Sequence, residues 1–190
     1  MYRPGARSAS TAPTVLVLAS GRGERFLASG GASHKLQARL AGIPVLQHTL
    51  QAVRASGLPW HLEDRPHAGM GDSIAAAVGA TAHAAGWLVL PADLPLLRGD
   101  TLLLIASALA SHAVVVPAFE GRRGHPVGFS RHCGHALLQL SGDQGAASVV
   151  RSHAAWQLAV DDAGCVTDVD TVQDLARAEA LLARRLSGGA

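Results

Sequence analysis

Short apolar runs alternate with stretches of helical spacing along most of this chain. Val15-Leu-Val-Leu-Ala19 is continuous, brief and rich in valine, which predicts a strand covered on both faces. Trp87-Leu-Val-Leu90, ending at Pro91, predicts a second such strand, and Val114-Val-Val116 a third. Trp60-His-Leu-Glu63 and Trp156 to Val160 read as shorter strands. Val45 to Ala55 places Val45, Leu46, Thr49, Leu50 and Val53 on one helical face. Ser73 to Ala85 is alanine-rich and predicts a helix after a glycine-punctuated loop. Asp100 is the expected cap of a helix reaching about Ala110, and His135–Leu140 and Gln144–His153 read as short helices. A last helix starts at Thr171, where Thr171-x-x-Asp174 has the form of a capping box and Val172, Leu175, Ala178, Leu182 and Leu186 mark one face. Ser20 to Gly31 and the segment from Val116 to Pro126 read as loops.

Alternating strands and helices predict an α/β layered domain with a mainly parallel sheet and right-handed crossovers. Such sheets bind ligands at the carboxyl ends of their strands. The loops after Ala19, Leu90 and Val116 therefore belong to one candidate site. A chain of 190 residues fits one domain, here read as 14–186. Residues 1–13 hold Arg3 and Arg7 but no apolar segment of their own, and read as a disordered tail and not a signal peptide.

Charge and cysteine content remove several classes of function. Lys plus Arg is 16 against 14 for Asp plus Glu, a formal charge of +2. That balance argues against a nucleic-acid-binding surface or a polybasic membrane anchor. No apolar run approaches the roughly 20 residues needed to cross a bilayer. Cys133 and Cys165 are the only cysteines and lie far apart, which excludes a disulfide scaffold and a cysteine-rich zinc site. A reducing cytoplasm is the expected location.

Three constellations carry the candidate chemistry. The first is Ala19-Ser-Gly-Arg-Gly-Glu-Arg25, followed by Lys35. Glycines directly after a buried strand let backbone N–H groups approach a phosphate, and Arg22, Arg25 and Lys35 add cations. The pattern is neither a P-loop nor a dinucleotide fingerprint, since His34 and Leu36 flank Lys35 and Phe26 replaces the third glycine. An ordinary glycine turn with solvated arginines is the alternative. The second is Asp93 in Pro91-Ala-Asp-Leu-Pro95. A carboxylate fixed after a buried strand suits Mg²⁺, which takes one or two carboxylates plus substrate phosphates; the alternative is a turn or capping aspartate. The third is Asp168-Val-Asp170, where Asp170 is the candidate second carboxylate and the alternative is charge complementing a helix dipole. Two further loops are candidates for substrate contact. Gly69-Met-Gly-Asp-Ser73 offers backbone to a flat base edge, or is simply a helix start capped by Ser73 or Asp72. Gly121-Arg-Arg-Gly-His-Pro126 suits an anionic substrate through Arg122, Arg123 and His125, or is a basic surface turn. His132-Cys-Gly-His135 lacks a partner pair for metal, and Gly71-Asp-Ser73 lacks the last glycine of a nucleophile elbow.

Taken in order, these pieces resemble one family. Leu18-Ala-Ser-Gly-Arg-Gly-Glu-Arg-Phe26, Lys35-Leu36 and Gly42-Ile-Pro-Val-Leu46 resemble the opening of MobA-like nucleotidyltransferases. The Gly69–Ser73, Ala92–Pro95, Gly121–Pro126, Gly142-Asp-Gln-Gly145 and Asp168–Thr171 motifs follow in the family's order. The Gly-Arg-Arg-Gly-His-Pro stretch is most similar to the molybdenum cofactor cytidylyltransferase branch. The resemblance implies a Rossmann-like, three-layer α/β/α nucleotidyltransferase fold. It also implies Mg²⁺-dependent transfer of CMP from CTP to the terminal phosphate of molybdopterin or molybdenum cofactor, with release of pyrophosphate. It gives the triphosphate to Ala19, Ser20, Gly21, Arg22, Gly23 and Arg25, charge stabilisation to Lys35, and base reading to Gly69, Met70, Gly71 and Ser73. It gives Mg²⁺ to Asp93 and Asp170, and the pterin-bearing partner to Arg122, Arg123 and His125. A xanthine-dehydrogenase-like molybdoenzyme would receive the product. Two departures stand out. A longer run separates Phe26 from Lys35, and Leu58 to Gly69 is short where the family carries a further strand and helix, so one βα unit is expected to be missing. The competing readings are a related enzyme using GTP or a sugar phosphate, and a non-catalytic accessory protein that binds molybdenum cofactor.

Overall fold

A computed structural model describes residues 11–187; most of the expected N-terminal tail, residues 1–10, lies outside the described residues. Strand β1 (Thr14–Leu18) leads through a short helix α1 (Glu24–Ala28) to a two-residue hairpin, β2 (Arg39–Leu40) and β3 (Ile43–Pro44). Helix α2 (Val45–Ala55), β4 (Trp60–Glu63), α3 (Met70–Ala80), β5 (Gly86–Pro91) and α4 (Gly99–Ala108) follow. Then come β6 (Val114–Phe119), β7 (Arg122–Arg123), β8 (Val127–Ser130), α5 (Gly134–Leu138), α6 (Ala147–Arg151), β9 (Trp156–Ala159) and α7 (Val172–Ser187).

The main sheet runs β4-β1-β5-β8-β6, with β7 and β9 also paired to β6. β1 is parallel to β4 and β5, and β6 is parallel to β9. β8 is antiparallel to both β5 and β6, so it reverses direction between two sets of strands that otherwise run the same way. The expectation of a mainly parallel sheet holds in that sense. Where the resemblance implies a further βα unit, the chain has β4 alone, paired to β1 at the edge of the described sheet.

Strand periodicity builds the layers. Successive side chains of a strand point to opposite faces. Val15 and Val17 join Leu88 and Leu90 on one face, under Leu50 and Val53 of α2, Leu102 and Ile105 of α4, and Ala178 of α7. Leu16 and Leu18 join Trp87 and Val89 on the other, under Ile74 and Val78 of α3, Leu137 of α5 and Val149 of α6. The continuous apolar runs read from the sequence are the strands buried on both sides, and the result is the expected three-layer α/β/α architecture.

Several boundaries differ from the sequence reading for identifiable reasons. Within the expected loop from Ser20 to Gly31, Glu24–Ala28 is helical because Phe26, 2% exposed, anchors that turn in the core. Helix α3 begins at Met70, three residues before Ser73, so most of the expected glycine loop is the helix's first turn. Asp100 lies in the first turn of α4 and does not cap it; Arg98 holds the cap position. The capping acceptor comes from elsewhere. Asp162 Oδ2 accepts from the Arg98 backbone N–H at 2.9 Å and from Thr101 Oγ1 at 2.7 Å. The loop expected to run to Pro126 contains β7, and β8 follows it unforeseen, because Val127-Gly-Phe-Ser130 is too short and mixed to show a period. The capping box at the last helix is present: Asp174 Oδ2 accepts from the Thr171 N–H, and Thr171 Oγ1 accepts from the Asp174 N–H.

Two buried carboxylates organise the segments around them. Asp162 also accepts from the Gly164 N–H at 2.9 Å and from Arg185 Nη2 of α7 at 3.0 Å, so one side chain joins α4, the 163–166 turn and α7. Glu63, 1% exposed at the end of β4, takes a two-pronged ion pair from Arg65 (Nε 3.0 Å, Nη2 3.1 Å). His67 Nε2 at 3.1 Å and His61 Nε2 at 3.3 Å complete its shell. Arg65 first, then His67 and His61, lower the Glu63 carboxyl to about 2 against the opposing effect of burial. The two cysteines are free and buried, and burial with Asp162 nearby pushes the Cys165 thiol up to about 11. No described helix is long and apolar enough to cross a membrane.

Asp162→Ala removes four partnered hydrogen bonds and leaves Arg185 without its carboxylate, and is expected to cost about 2–3 kcal/mol in urea unfolding. The Glu63 carboxyl is lowered in the folded state, so its contribution is complete above its ordinary value near 4.5 and is lost as pH falls toward 2. Wild type should therefore lose about 1–2 kcal/mol more stability than Glu63→Gln between pH 5 and pH 2, with screening on the exposed Arg65 side limiting the gap. Urea titrations of both proteins across that range measure it.

Candidate active site

The carboxyl ends of β1, β4 and β5 lie side by side, and the chain turns sharply after each. Past β1, the Ala19 N–H donates to the Glu63 carbonyl at 2.8 Å, so the loop starts tied to the end of β4. It then wraps around His34. The His34 Nδ1 accepts from the Leu36 N–H at 3.3 Å, which leaves Nε2 as the donor to the Gly21 carbonyl at 2.8 Å. Gly23 has φ +67, and a Cβ there would sit 3.0 Å from the His34 ring, so both backbone conformation and space require glycine.

The long link to Lys35 folds back beneath α1. The Gly31 N–H donates to the Phe26 carbonyl at 3.1 Å, and Ser29 Oγ bridges the Phe26 carbonyl and the Val172 N–H. Leu36 is buried and its carbonyl accepts from the Leu46 N–H at 3.1 Å, which fixes the preceding residue, Lys35, over the strand ends. The extra residues that distinguish this chain from the family pattern thus still deliver Lys35 to the cleft.

Asp93 reaches the same point from β5. The Ala92 N–H donates to the Leu18 carbonyl at 3.0 Å, and Thr49 Oγ1 donates to the Ala92 carbonyl at 2.9 Å. The Asp93 carbonyl accepts from the Val169 N–H at 2.9 Å, which locks the Asp168–Asp170 segment beside it. Lys35 Nζ stands between the two carboxylates, 2.5 Å from Asp93 Oδ2 and 2.6 Å from Asp170 Oδ1. Arg25 Nη1 lies 2.6 Å from Asp170 Oδ2. Burial alone would lower the Lys35 pKa, but Asp93 and Asp170 overturn that and hold the ammonium above its ordinary range. Asp93 Oδ1 is buried with no hydrogen-bond partner among the described residues.

An open cleft of about 490 Å³ contains this cluster. The loop from Ser20 to Arg25 forms one wall, Lys35, Asp93 and Asp170 the floor, and Gly69 and Met70 the opposite wall. A Cβ at Gly69 would fall 2.3 Å from the Gly142 backbone, so this wall depends on close packing against the Ser141–Asp143 turn. Asp72 Oδ2 accepts from the Gly142 N–H at 2.9 Å and holds that packing.

Not every expected residue reaches the cleft. Ala19 is turned into the link with Glu63, Gly71 and Ser73 are buried in α3, and Ser20 Oγ donates to Ser73 Oγ at 3.0 Å. Arg122 and Arg123 are exposed on β7 outside the lining. His125 follows them. It too is exposed and stands outside the lining of the cleft. The sequence reading missed His67 and Asp143, both lining the cleft. His67 had a signal: His61, Glu63, Arg65 and His67 alternate, and an extended chain places alternate residues on one face.

Comparison with known proteins gives this cleft a context. No curated protein matches the chain by sequence. Rv0371c from Mycobacterium tuberculosis H37Rv superposes with a TM-score of 0.74 at 26% identity, covering 90% of this chain and 98% of that one. Its manganese complex superposes with a TM-score of 0.70 at 25% identity, over 90% and 99% of the two chains. A nucleotidyl transferase from Methanothermobacter thermautotroptrophicus shares the fold at a TM-score of 0.77 and 17% identity, over 93% and 100% of the two chains. The MobA-like NTP transferase domain matches residues 51–157, more than half of the sequence. With a strand-end cleft that gathers a glycine loop with Arg25, Lys35, Asp93 and Asp170, the chain belongs to the MobA-like NTP transferase family and is a nucleotidyltransferase.

Proposed function

We propose that this nucleotidyltransferase moves CMP from CTP to the terminal phosphate of molybdopterin or molybdenum cofactor. An oxygen of the acceptor phosphate bonds to the α-phosphorus of CTP, the bond from that phosphorus to the β-phosphate bridge breaks, and pyrophosphate leaves. The observation that carries the reading is the meeting of Lys35, Asp93 and Asp170 on the floor of a cleft walled by the Ser20–Arg25 loop.

Charge arithmetic supports a divalent ion. Lys35 and Arg25 balance Asp93 and Asp170, and Arg22 pairs with Glu24 at 3.6 Å. The site alone therefore has no surplus positive charge for a triphosphate. Two carboxylates already converge on one cationic group, and Asp93 Oδ1 is an unused buried acceptor among the described residues. Such an all-oxygen donor pair fits Mg²⁺, and the neighbour from M. tuberculosis has a structure in complex with manganese. Asp93 and Asp170 would hold the ion, which supplies neutralisation of phosphate charge when bound.

The chain's own groups do the rest. Backbone N–H groups between Ser20 and Gly23, with Arg25, grip the triphosphate. Lys35 takes up negative charge that grows on the reacting phosphates, and Gly69 and Met70 flank the base. The acceptor phosphate is already anionic, so no tuned general base is required; positioning and neutralisation carry the rate. Arg122, Arg123 and His125, outside the lining of the cleft, would receive the anionic pterin partner, and the product would pass to a xanthine-dehydrogenase-like hydroxylase.

Incubation with molybdopterin and each nucleoside triphosphate should release pyrophosphate fastest with CTP and Mg²⁺; absence of turnover with CTP refutes the assignment. Asp93→Ala should lower turnover by about 10²–10³-fold at ordinary Mg²⁺, and retained activity would rule out its role as a metal ligand. Lys35→Ala should reduce kcat more than it weakens CTP binding, and a change confined to KM would mean uniform binding instead.

A further inference from the structure

Beside Gly69, the cleft wall holds a histidine backed by a buried anion. His67 lines the cleft, its side chain 16% exposed, and its Nε2 lies 3.1 Å from Glu63 Oε1. An ionised carboxylate only accepts hydrogen bonds. Glu63 is held ionised by the two-pronged pair with Arg65. The hydrogen on His67 is thus fixed at Nε2, and neutral imidazole keeps a lone pair at Nδ1. That nitrogen makes no hydrogen bond among the described residues.

The charge arrangement selects the kind of group this wall can receive. Arg65 pairs with both oxygens of Glu63 and takes up the carboxylate's charge, and the carboxylate itself is 1% exposed. At this point the cleft meets the His67 ring and not the Glu63 carboxylate behind it. A neutral acceptor two residues before Gly69 suits a donor on the edge of a nucleobase. Glu63 also links this wall to the phosphate loop, since its carbonyl accepts from the Ala19 N–H.

We infer that His67 is a base-specificity residue whose Nδ1 accepts a hydrogen bond from an exocyclic amino group of the nucleobase, with Glu63 as the positioning residue that fixes its tautomer. The inference rests on the nucleotide reading of this cleft given above. It selects an amino-bearing base over the corresponding oxo base, whose carbonyl would oppose the Nδ1 lone pair.

Titration calorimetry with CTP and UTP, in Mg²⁺ at pH 8 and without acceptor, tests it, because the two pyrimidines differ at the 4-amino and 4-oxo positions. Wild type should prefer CTP by about tenfold or more. His67→Phe keeps a ring and removes the acceptor; CTP should weaken about tenfold while UTP stays within about twofold. Glu63→Gln should erode the same preference, with a thermal melt run alongside; if that variant does not fold, His67→Phe decides alone. Equal weakening of both nucleotides, or a preference that survives His67→Phe, overturns the inference while leaving the cytidylyl assignment standing. If GTP binds and CTP does not, the cytidylyl assignment falls. His67 is then judged on GTP against ITP, which lacks the 2-amino group, and equal loss for those two overturns it. Failure of all four nucleotides to bind overturns both.

Discussion

Two carboxylates and one ammonium share a space at the edge of the sheet, and the remainder of the cleft is arranged to keep them there. Asp93 and Asp170 would repel each other at this separation were Lys35 not between them. Lys35 in turn has no regular element to hold it; it depends on buried Leu36 behind it and on the link folded under Phe26 ahead of it. The backbone bond from Val169 to the Asp93 carbonyl sets the distance between the two acidic segments without relying on side chains. Glycine at position 23 then lets the Ser20–Arg25 loop close over His34 above that floor.

The sheet explains why these groups meet. β4, β1 and β5 are adjacent and parallel, so their carboxyl ends present three loops to one rim. Antiparallel β8 separates β5 from β6, which moves the Arg122–Arg123 segment away from the cleft floor. The edge position of β4 leaves its last residues free to serve the cleft wall. Glu63 is both a sheet terminus and the anchor of His67.

Apolar pattern alone made much of this legible. The runs at Val15 and Trp87 were strands because burial on both faces leaves no polar positions, and α2 matched its periodic stretch from Val45 to Ala55. The glycine loop, Lys35, Asp93 and Asp170 were legible as chemistry because strand-end loops converge in this class of fold, and they line one cleft. What escaped depends on long-range partners. Asp162 caps a helix more than sixty residues away, so no local cap signal preceded Gly99. The early start of α3 follows from its packing on Gly142. β8 carries too few residues for a period, and α1 exists because one phenylalanine is buried.

The floor of the cleft closes with Asp170, which follows every described strand, and its contact with Lys35 spans 135 positions of sequence. A chain emerging from the ribosome has all of its described strands before that aspartate is available, and α7, which completes one helical layer with Ala178, follows later still. Nascent protein would thus hold the glycine turn and Asp93 without their counterweight, a partial receptor unable to set both acids around a cation. Competence arrives late, when the segment leading into α7 docks, and until then an early intermediate has little means of sequestering nucleotide.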